Sequence, residues 1–141
     1  PPTAILEGVS LLEAGNDVVL GSRYPDGSIE GWSFMRKFFS YLANQLARAF
    51  LSRNIYDYTN GFRFYTRKMV EFLIQYDQRN KGYIYLSETL SLFLSHGVKI
   101  AEFPIHFINR ERGHSNTDMK ELIAALKGII EIGIRYRSGK I

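Results

Sequence analysis

Arginine and hydroxyl side chains occur at positions where they could bind a phosphate together. Arg23 follows the short apolar run at residues 17–20, which indicates a buried strand with the arginine at its end. In α/β proteins the side chains at the carboxyl ends of parallel strands point into the crevice that binds ligands. Arg36 and Ser40 lie four residues apart, so a helix places them on one face, one turn apart. A guanidinium fork and a hydroxyl are suitable donors for phosphate oxygens, and these residues are therefore candidates for an anion site.

Both parts of this candidate site also have a plain structural interpretation. Arg23 could be a surface arginine that pairs with Asp26 or Glu30 in the Gly-, Pro- and Asp-containing loop that follows it. The face that carries Arg36 and Ser40 could be the solvated side of its helix. The residues alone leave these alternatives open.

The stretch from Asp57 to Arg63 combines a turn with an isolated charge. Asp57 and Asn60, followed by Gly61, are typical of a turn in which Asp and Asn side chains bond to their own backbone. Such a turn does not explain Arg63, which lies in an otherwise aromatic segment. A charge there either faces water or is paired, and the sequence predicts Asp57 as its partner.

Glu88 is a carboxylate in a helix that is otherwise apolar on several sides. It could be a general base, a charge near the helix start that interacts with the helix dipole, or the partner of a cation. The structural roles are favoured over the catalytic one.

A charged loop at residues 109–116 offers a second group of phosphate ligands. Arg110, Arg112 and Ser115, with a glycine between them, could close over an anion; the alternative is an ordinary charged loop. His114 has no second histidine or carboxylate at ligand spacing, so the sequence gives no reason to assign it a metal.

The elements that must position these groups alternate between helix and strand, which indicates an α/β fold. Caps, turn residues and apolar periodicity predict helices at residues 1–14, 33–51, 66–75, 85–96 and 118–136. Short strands are predicted at residues 18–20, 62–65, 98–103 and 105–108. A fully apolar strand such as residues 18–20 needs strand neighbours on both edges, and so few strands cannot supply them. We therefore expect half of a sheet domain, whose first strands lie on a segment outside this chain.

Two of these helices have notable side chains. The helix at residues 33–51 has Phe34, Phe38 and Leu42 along one side. The amphipathic last helix, about residues 118–136, is followed by further basic residues. It is either a core helix with a solvated stripe or one that also rests on an anionic membrane surface.

Composition bounds the function without deciding it. The chain has 141 residues, a net charge of +4 and a pI near 9.4, which fit one mildly basic domain. The absence of cysteine excludes a disulfide framework and a thiolate metal site. No apolar run is long enough to span a bilayer. No nucleic-acid-binding motif is present either, so we do not expect a nucleic-acid partner.

Seven short motifs occur in order along nearly the whole chain. They are Asp17-Val-Val-Leu-Gly-Ser-Arg-Tyr24, Gly31-Trp32, Arg36 to Ser40 with Ala43-Asn44 and Ala47-Arg48, Asp57-x-Thr-Asn-Gly-Phe-Arg63, Gly82-Tyr-x-x-x-x-Glu88, Glu102-x-Pro-Ile105 and Arg110-x-x-Gly-x-Ser115. Together they resemble family 2 glycosyltransferases of the dolichol-phosphate mannosyltransferase and polyprenyl-phosphate glycosyltransferase type. The chain departs from that pattern at Asn60, where members typically have Ser, and at Asn116, where they have Lys.

The resemblance implies a fold, a reaction and site residues. The fold would be the acceptor-side, carboxyl-terminal part of a GT-A, Rossmann-like domain that occupies residues 1–141 and lacks its first strands. The reaction would be inverting transfer of a hexose, with mannose favoured, from GDP-mannose or UDP-glucose to a polyprenyl or dolichyl phosphate. The acceptor phosphate would be held by Arg23, Arg36 and Ser40, with Arg110, Arg112 and Ser115 closing from the late loop, while Asp57 and Glu88 would be catalytic residues on the sugar side.

The resemblance also implies a cofactor and a location. Mg²⁺ or Mn²⁺ would bind the leaving diphosphate through an Asp-x-Asp motif expected upstream of Pro1, with no metal ligands in this chain. We accordingly expect the chain alone to be inactive, and the whole protein to act at the cytoplasmic face of a membrane. The alternative is a non-enzymatic module that binds a phosphorylated lipid or another anion through the same arginines.

Overall fold

The computed structural model describes residues 2–109 and 119–141 and confirms the α/β class. In chain order the elements are α1 (Pro2–Glu13), β1 (Val18–Ser22), β2 (Ser28–Glu30), α2 (Phe34–Phe50), β3 (Arg63–Tyr65), α3 (Arg67–Ile74), α4 (Tyr83–Ser95), β4 (Ile100–Pro104), β5 (His106–Ile108) and α5 (Met119–Arg137). The predicted helices are all found within a few residues of their expected limits.

The central sheet has β1 in its middle, between β3 and β4. β1 runs antiparallel to β3, with Val18 opposite Tyr65, and parallel to β4, with Val18 opposite Ile100. Every residue of β1 is buried, as its apolar sequence predicts. The expectation that this strand lacks partners within the chain is wrong, because a mixed sheet satisfies both of its edges with strands from this chain.

A second, two-stranded sheet pairs β2 with β5 in parallel. β2 lies in a stretch that the sequence predicts as loop; three residues are too few to show a strand pattern. Ile105, between β4 and β5, joins the two sheets: its N–H donates to the Ser22 carbonyl (2.9 Å) and its carbonyl accepts from the Ser28 N–H (3.1 Å). The small sheet is therefore hydrogen-bonded to the end of β1.

Alternating residues of β1 face two separate cores. Val19 packs beneath α1 with Ala4 and Phe103. Val18 and Leu20 face the other way, into the larger core built from the helices α2 to α5 and the segment before β3. β1 is thus enclosed on both faces, and its carboxyl end is held in place.

The helix α2 begins where the sequence predicts, with Ser33 accepting a hydrogen bond from the Arg36 N–H at its amino end. It buries the small residues Ala43 and Ala47, while Phe34 is 79% exposed. Small side chains allow close helix approach, so α2 packs on α5, where a Cβ at Gly133 would meet the Phe50 ring at 2.6 Å.

The ends of two helices differ in how they are capped. Gly97 ends α4 with a φ of +67°, as expected for a glycine after a helix. Thr66 occupies the N-cap position of α3 but its side chain makes no capping bond; its backbone carbonyl accepts the N–H groups of Met69 and Val70 instead. In the part of the chain that the structure describes, no helix is both long and apolar enough to span a bilayer.

Candidate anion-binding site

A cleft of about 90 Å³ opens at the carboxyl end of β1, between α2 and the first turns of α5. The structure brings together three of the predicted phosphate ligands there, Arg23, Arg36 and Ser40. The full lining is Arg23, Trp32, Arg36, Phe39, Ser40, Ala43, Thr59, Glu121, Leu122 and Ala125. Positive charge and donors from two separate elements therefore meet in one concave space.

Arg23 is fixed by Asp57. Its Nε and Nη2 atoms donate to the two carboxylate oxygens at 2.8 and 2.9 Å, and its backbone N–H donates at 3.0 Å. Arg23 is 5% exposed and the Asp57 side chain is fully buried. Neither Asp26 nor Glu30 is the partner that the surface interpretation expected, so Arg23 is a buried, oriented cation at the end of β1.

The Asp57 carboxylate is itself held by the turn that carries it. It accepts the N–H groups of Thr59 and Asn60 at 3.2 and 3.1 Å, the Asx-type bonding that the sequence predicts. Burial raises the pKa of Asp57, but the hydrogen bonds and charge of Arg23 outweigh it and hold the pKa below its ordinary value. Asp57 is therefore an ionised partner for Arg23 at neutral pH.

The ion pair predicted between Arg63 and Asp57 is wrong. The Arg63 guanidinium donates to three backbone carbonyl groups, those of Asn60 (2.8 Å), Leu86 (2.8 Å) and Tyr58 (2.9 Å). Two carbonyl oxygens of the turn and one of α4 therefore accept from this guanidinium. Arg63 thus ties the Asp57 turn to the start of α4.

Arg36 and Ser40 lie one turn apart on α2, as predicted. Among residues 2–109 and 119–141 the Arg36 guanidinium makes no hydrogen bond, and its Cζ lies 4.0 Å from the centre of the Trp32 ring. The Ser40 Oγ accepts a hydrogen bond from the Tyr24 hydroxyl at 3.1 Å. Burial raises the pKa of Tyr24, more than its contacts with Ser40 and Arg23 lower it, so this hydroxyl stays protonated as a donor.

Trp32 and Tyr24 belong to this site, although neither is among the predicted phosphate ligands. Trp32 belongs to the Gly31-Trp32 motif and is the single tryptophan of the chain. Its rarity is the signal in the sequence that could have indicated a role. Tyr24 directly follows Arg23 in sequence. Both contact a candidate phosphate ligand through their rings or hydroxyl.

Glu88 does not line the cleft. It is fully buried in α4 and accepts the backbone and side-chain N–H groups of Asn80, both at 2.9 Å, with the Arg135 guanidinium 3.4 Å away. Burial disfavours its charged form, but these donors outweigh it and lower its pKa. The contacts are those of a structural carboxylate, and its catalytic role stays a prediction.

The late-loop ligands Arg110, Arg112 and Ser115 lie outside the described residues, as does His114. The helix α5 begins shortly after them, at Met119, and contributes Glu121 to the cleft.

The residues present do not fit a divalent metal. Within the described part of the chain, no group of three His, Asp or Glu side chains is placed to hold one, and Asp57 is occupied by Arg23. The ligands of the expected Mg²⁺ or Mn²⁺ remain a prediction about other parts of the protein.

Comparison with known proteins gives relatives that cover most of the chain. It is 31% identical over 137 residues to a polyprenol monophosphomannose synthase of Mycolicibacterium smegmatis, covering 96% of this chain and 52% of that protein. It is 33% identical over 108 residues to an undecaprenyl-phosphate mannosyltransferase of Micrococcus luteus, covering 74% of this chain and 44% of that protein. No protein-family model matches. The chain spans about half the length of these curated relatives, and over that span it is homologous to polyprenyl-phosphate mannosyltransferases.

Proposed function

We propose that the whole protein transfers a hexose, with mannose favoured, from a nucleotide sugar to the phosphate of a polyprenyl or dolichyl lipid. The observation that carries this proposal is the convergence of Arg23, Arg36 and Ser40 on one cleft. The names of the two relatives support a polyprenyl-phosphate acceptor and mannose as the sugar. They give no support to a purely anion-binding module. Because the chain covers about half of each relative, we expect this segment alone to be inactive.

The proposed reaction needs positioning more than proton transfer. A phosphate monoester has a second pKa of about 6, so the acceptor is mostly a dianion at neutral pH. One of its oxygens attacks the anomeric carbon of the donor sugar while the bond from that carbon to the nucleotide diphosphate breaks, which inverts the configuration. Arg36 and Ser40 would bind the acceptor phosphate from α2 and Arg23 from the end of β1, holding it in line with the breaking bond. Asp57 would act by keeping Arg23 in place.

The proposed acceptor is a membrane lipid, so the cleft must reach a membrane surface. The helices that line it also carry large exposed apolar side chains, with Phe34 79%, Phe38 48% and Ile123 45% exposed. Such side chains beside basic ones are typical of protein surfaces that rest on a bilayer. We propose the cytoplasmic face of a membrane as the location, with GDP-mannose as the first donor to test and UDP-glucose as the second.

The test is transfer by the full-length protein. With GDP-mannose and a polyprenyl phosphate in detergent micelles it should form lipid-linked mannose. Arg36→Ala should lower kcat/KM for the acceptor about a hundredfold, since a hydrogen bond to a charged group contributes about 2–3 kcal/mol. The matched control is Arg67→Ala, because Arg67 is 93% exposed and pairs with Glu71 on its own helix.

Two outcomes would contradict the proposal. Near-normal turnover by Arg36→Ala would remove the acceptor-phosphate site from this cleft. Binding of polyprenyl phosphate with no transfer from either donor would favour the non-enzymatic module.

A further inference from the structure

One aromatic ring contacts both of the arginines that we propose as phosphate ligands. The centre of the Trp32 ring lies 4.0 Å from the Arg36 Cζ and 5.2 Å from the Arg23 Cζ. Both distances are within the roughly 6 Å at which a guanidinium is attracted to the face of an indole. Like charges in one small cleft repel each other, and this ring offsets that repulsion.

Trp32 is itself held by the small sheet. Its ring meets the Phe107 ring of β5 edge to face, with centres 5.5 Å apart. The strand β2 ends at Glu30, whose carbonyl accepts the Asn109 N–H at 3.1 Å. Gly31 then turns the chain with a φ of +79°, a conformation that favours glycine. The backbone before the indole is therefore fixed by strand pairing and by a turn.

Arg36 depends on this ring more than Arg23 does. Arg23 is locked by two hydrogen bonds to the Asp57 carboxylate, whereas no described residue accepts a hydrogen bond from the Arg36 guanidinium. A long side chain that is not held loses conformational freedom when it binds a ligand, which weakens binding. A ring against which it packs removes part of that loss beforehand.

We propose that Trp32 is a positioning residue of the anion site, an inference that rests on the proposed function. Its ring holds the guanidinium group of Arg36 next to that of Arg23, so that both are in place before the acceptor phosphate arrives. A competing account uses the indole N–H: the Trp32 Nε1 atom is buried and has no hydrogen-bond partner among the described residues. The two accounts differ in what a phenylalanine at position 32 can replace.

Two substitutions in the full-length protein separate these accounts. Trp32→Leu removes the aromatic face and should raise the KM for polyprenyl phosphate about tenfold with kcat nearly unchanged, the size expected for a desolvated cation–π contact. Trp32→Phe keeps a ring but removes the N–H, and its KM should stay within about threefold of wild type. The control for a purely structural loss is Phe72→Leu, since Phe72 contacts Phe93 and His96 and does not line the cleft; it should lower stability without moving this KM.

The inference is overturned if Trp32→Leu keeps the wild-type KM, or if Trp32→Phe is impaired as strongly as Trp32→Leu. Should Trp32→Leu fail to fold, fluorescence of the folded wild type decides. The Trp32 contribution is obtained by subtracting the Trp32→Phe spectrum, and it should change as polyprenyl phosphate or inorganic phosphate is added. An unchanged difference spectrum at saturating acceptor also overturns the inference.

These measurements distinguish the inference from the proposed function. If the wild type transfers no sugar but its Trp32 emission responds to phosphate, the proposed function fails and the positioning role stands. If the wild type is active and Trp32→Leu has an unchanged KM, the proposed function stands and the positioning role fails.

Discussion

Glu121 brings a negative charge into the cleft that we propose to bind a phosphate. It lies in the first turn of α5 and lines the cleft together with Arg23 and Arg36. Because like charges disfavour each other, Glu121→Gln should lower the KM for polyprenyl phosphate about threefold, the effect of roughly 0.6 kcal/mol for a partly solvated pair of charges. The measurement is this KM at low and at high salt, and the gain should shrink as salt screens the interaction.

Glu131→Gln is the matched control, because Glu131 is an exposed carboxylate on the same helix that does not line the cleft. Its KM should equal that of the wild type. A KM that is unchanged or higher in Glu121→Gln would place the phosphate elsewhere.

Single residues show which parts of the site could be predicted. Arg36 and Ser40 could be found because their spacing is local and a helix fixes their relation. The partner of Arg23 could not, since Asp57 is 34 residues away and nothing in the local pattern connects them. The predicted partner of Arg63 is wrong because its guanidinium donates to backbone carbonyl groups, and these have no signature in a sequence.

The element with most influence on the site is the small sheet of β2 and β5. Trp32 lies two residues after β2, and its ring contacts Phe107 on β5. Gly27, just before β2, lies where a Cβ would be only 2.4 Å from the Ser22 carbonyl oxygen and 2.6 Å from that of Ile105. Both atoms are backbone, so neither can move without shifting a sheet.

Gly27→Ala should therefore displace β2 and, with it, Trp32. We expect it to lower the free energy of unfolding by about 1–3 kcal/mol, as overpacking does, and to raise the KM for polyprenyl phosphate. Thermal unfolding and acceptor titration measure the two effects. The control is Gly61→Ala, where the nearest atom is a Leu86 methyl at 3.9 Å. Wild-type stability in Gly27→Ala would show that the sheet has more freedom than its packing suggests.

Elements with their own local signals were predicted well and those without were not. Ser33 marks the start of α2 because a cap residue is a local feature, and the helix is long enough to show a period. Strand β2 has three residues and is formed by pairing with β5, 78 positions later, so its existence depends on a distant segment. Phe34 and Phe38 of α2 are exposed, because the core contacts the alanines of this helix instead.

At the scale of the whole molecule, the buried pair of Arg23 and Asp57 makes stability depend on pH. The pKa of Asp57 is lower in the folded state than in the unfolded chain, so its stabilising effect is fully present above the unfolded value of about 3.9. It is lost as pH falls through the folded pKa. Asp57→Asn should lower the free energy of unfolding at pH 7 by about 3–5 kcal/mol, because it deprives a buried guanidinium of its carboxylate.

The measurement is chemical denaturation of the full-length protein across the acid range. The variant should also lose less stability than the wild type on acidification, since the titrating group is gone. Glu71→Gln, which removes an exposed carboxylate paired with Arg67, should follow the wild-type curve. An Asp57→Asn curve parallel to that of the wild type would mean that other carboxylates control acid unfolding.

Ile105 has a consequence for how the molecule fluctuates. Its amide donates to one sheet and its carbonyl accepts from the other, so the small sheet cannot open away from β1 without breaking one of these bonds. The tryptophan and the strand end that bears Arg23 therefore belong to one cooperative unit of local opening. A transient opening that exposes either of them would disassemble the whole cleft. A bound anion that holds the cleft closed would therefore suppress the opening of both.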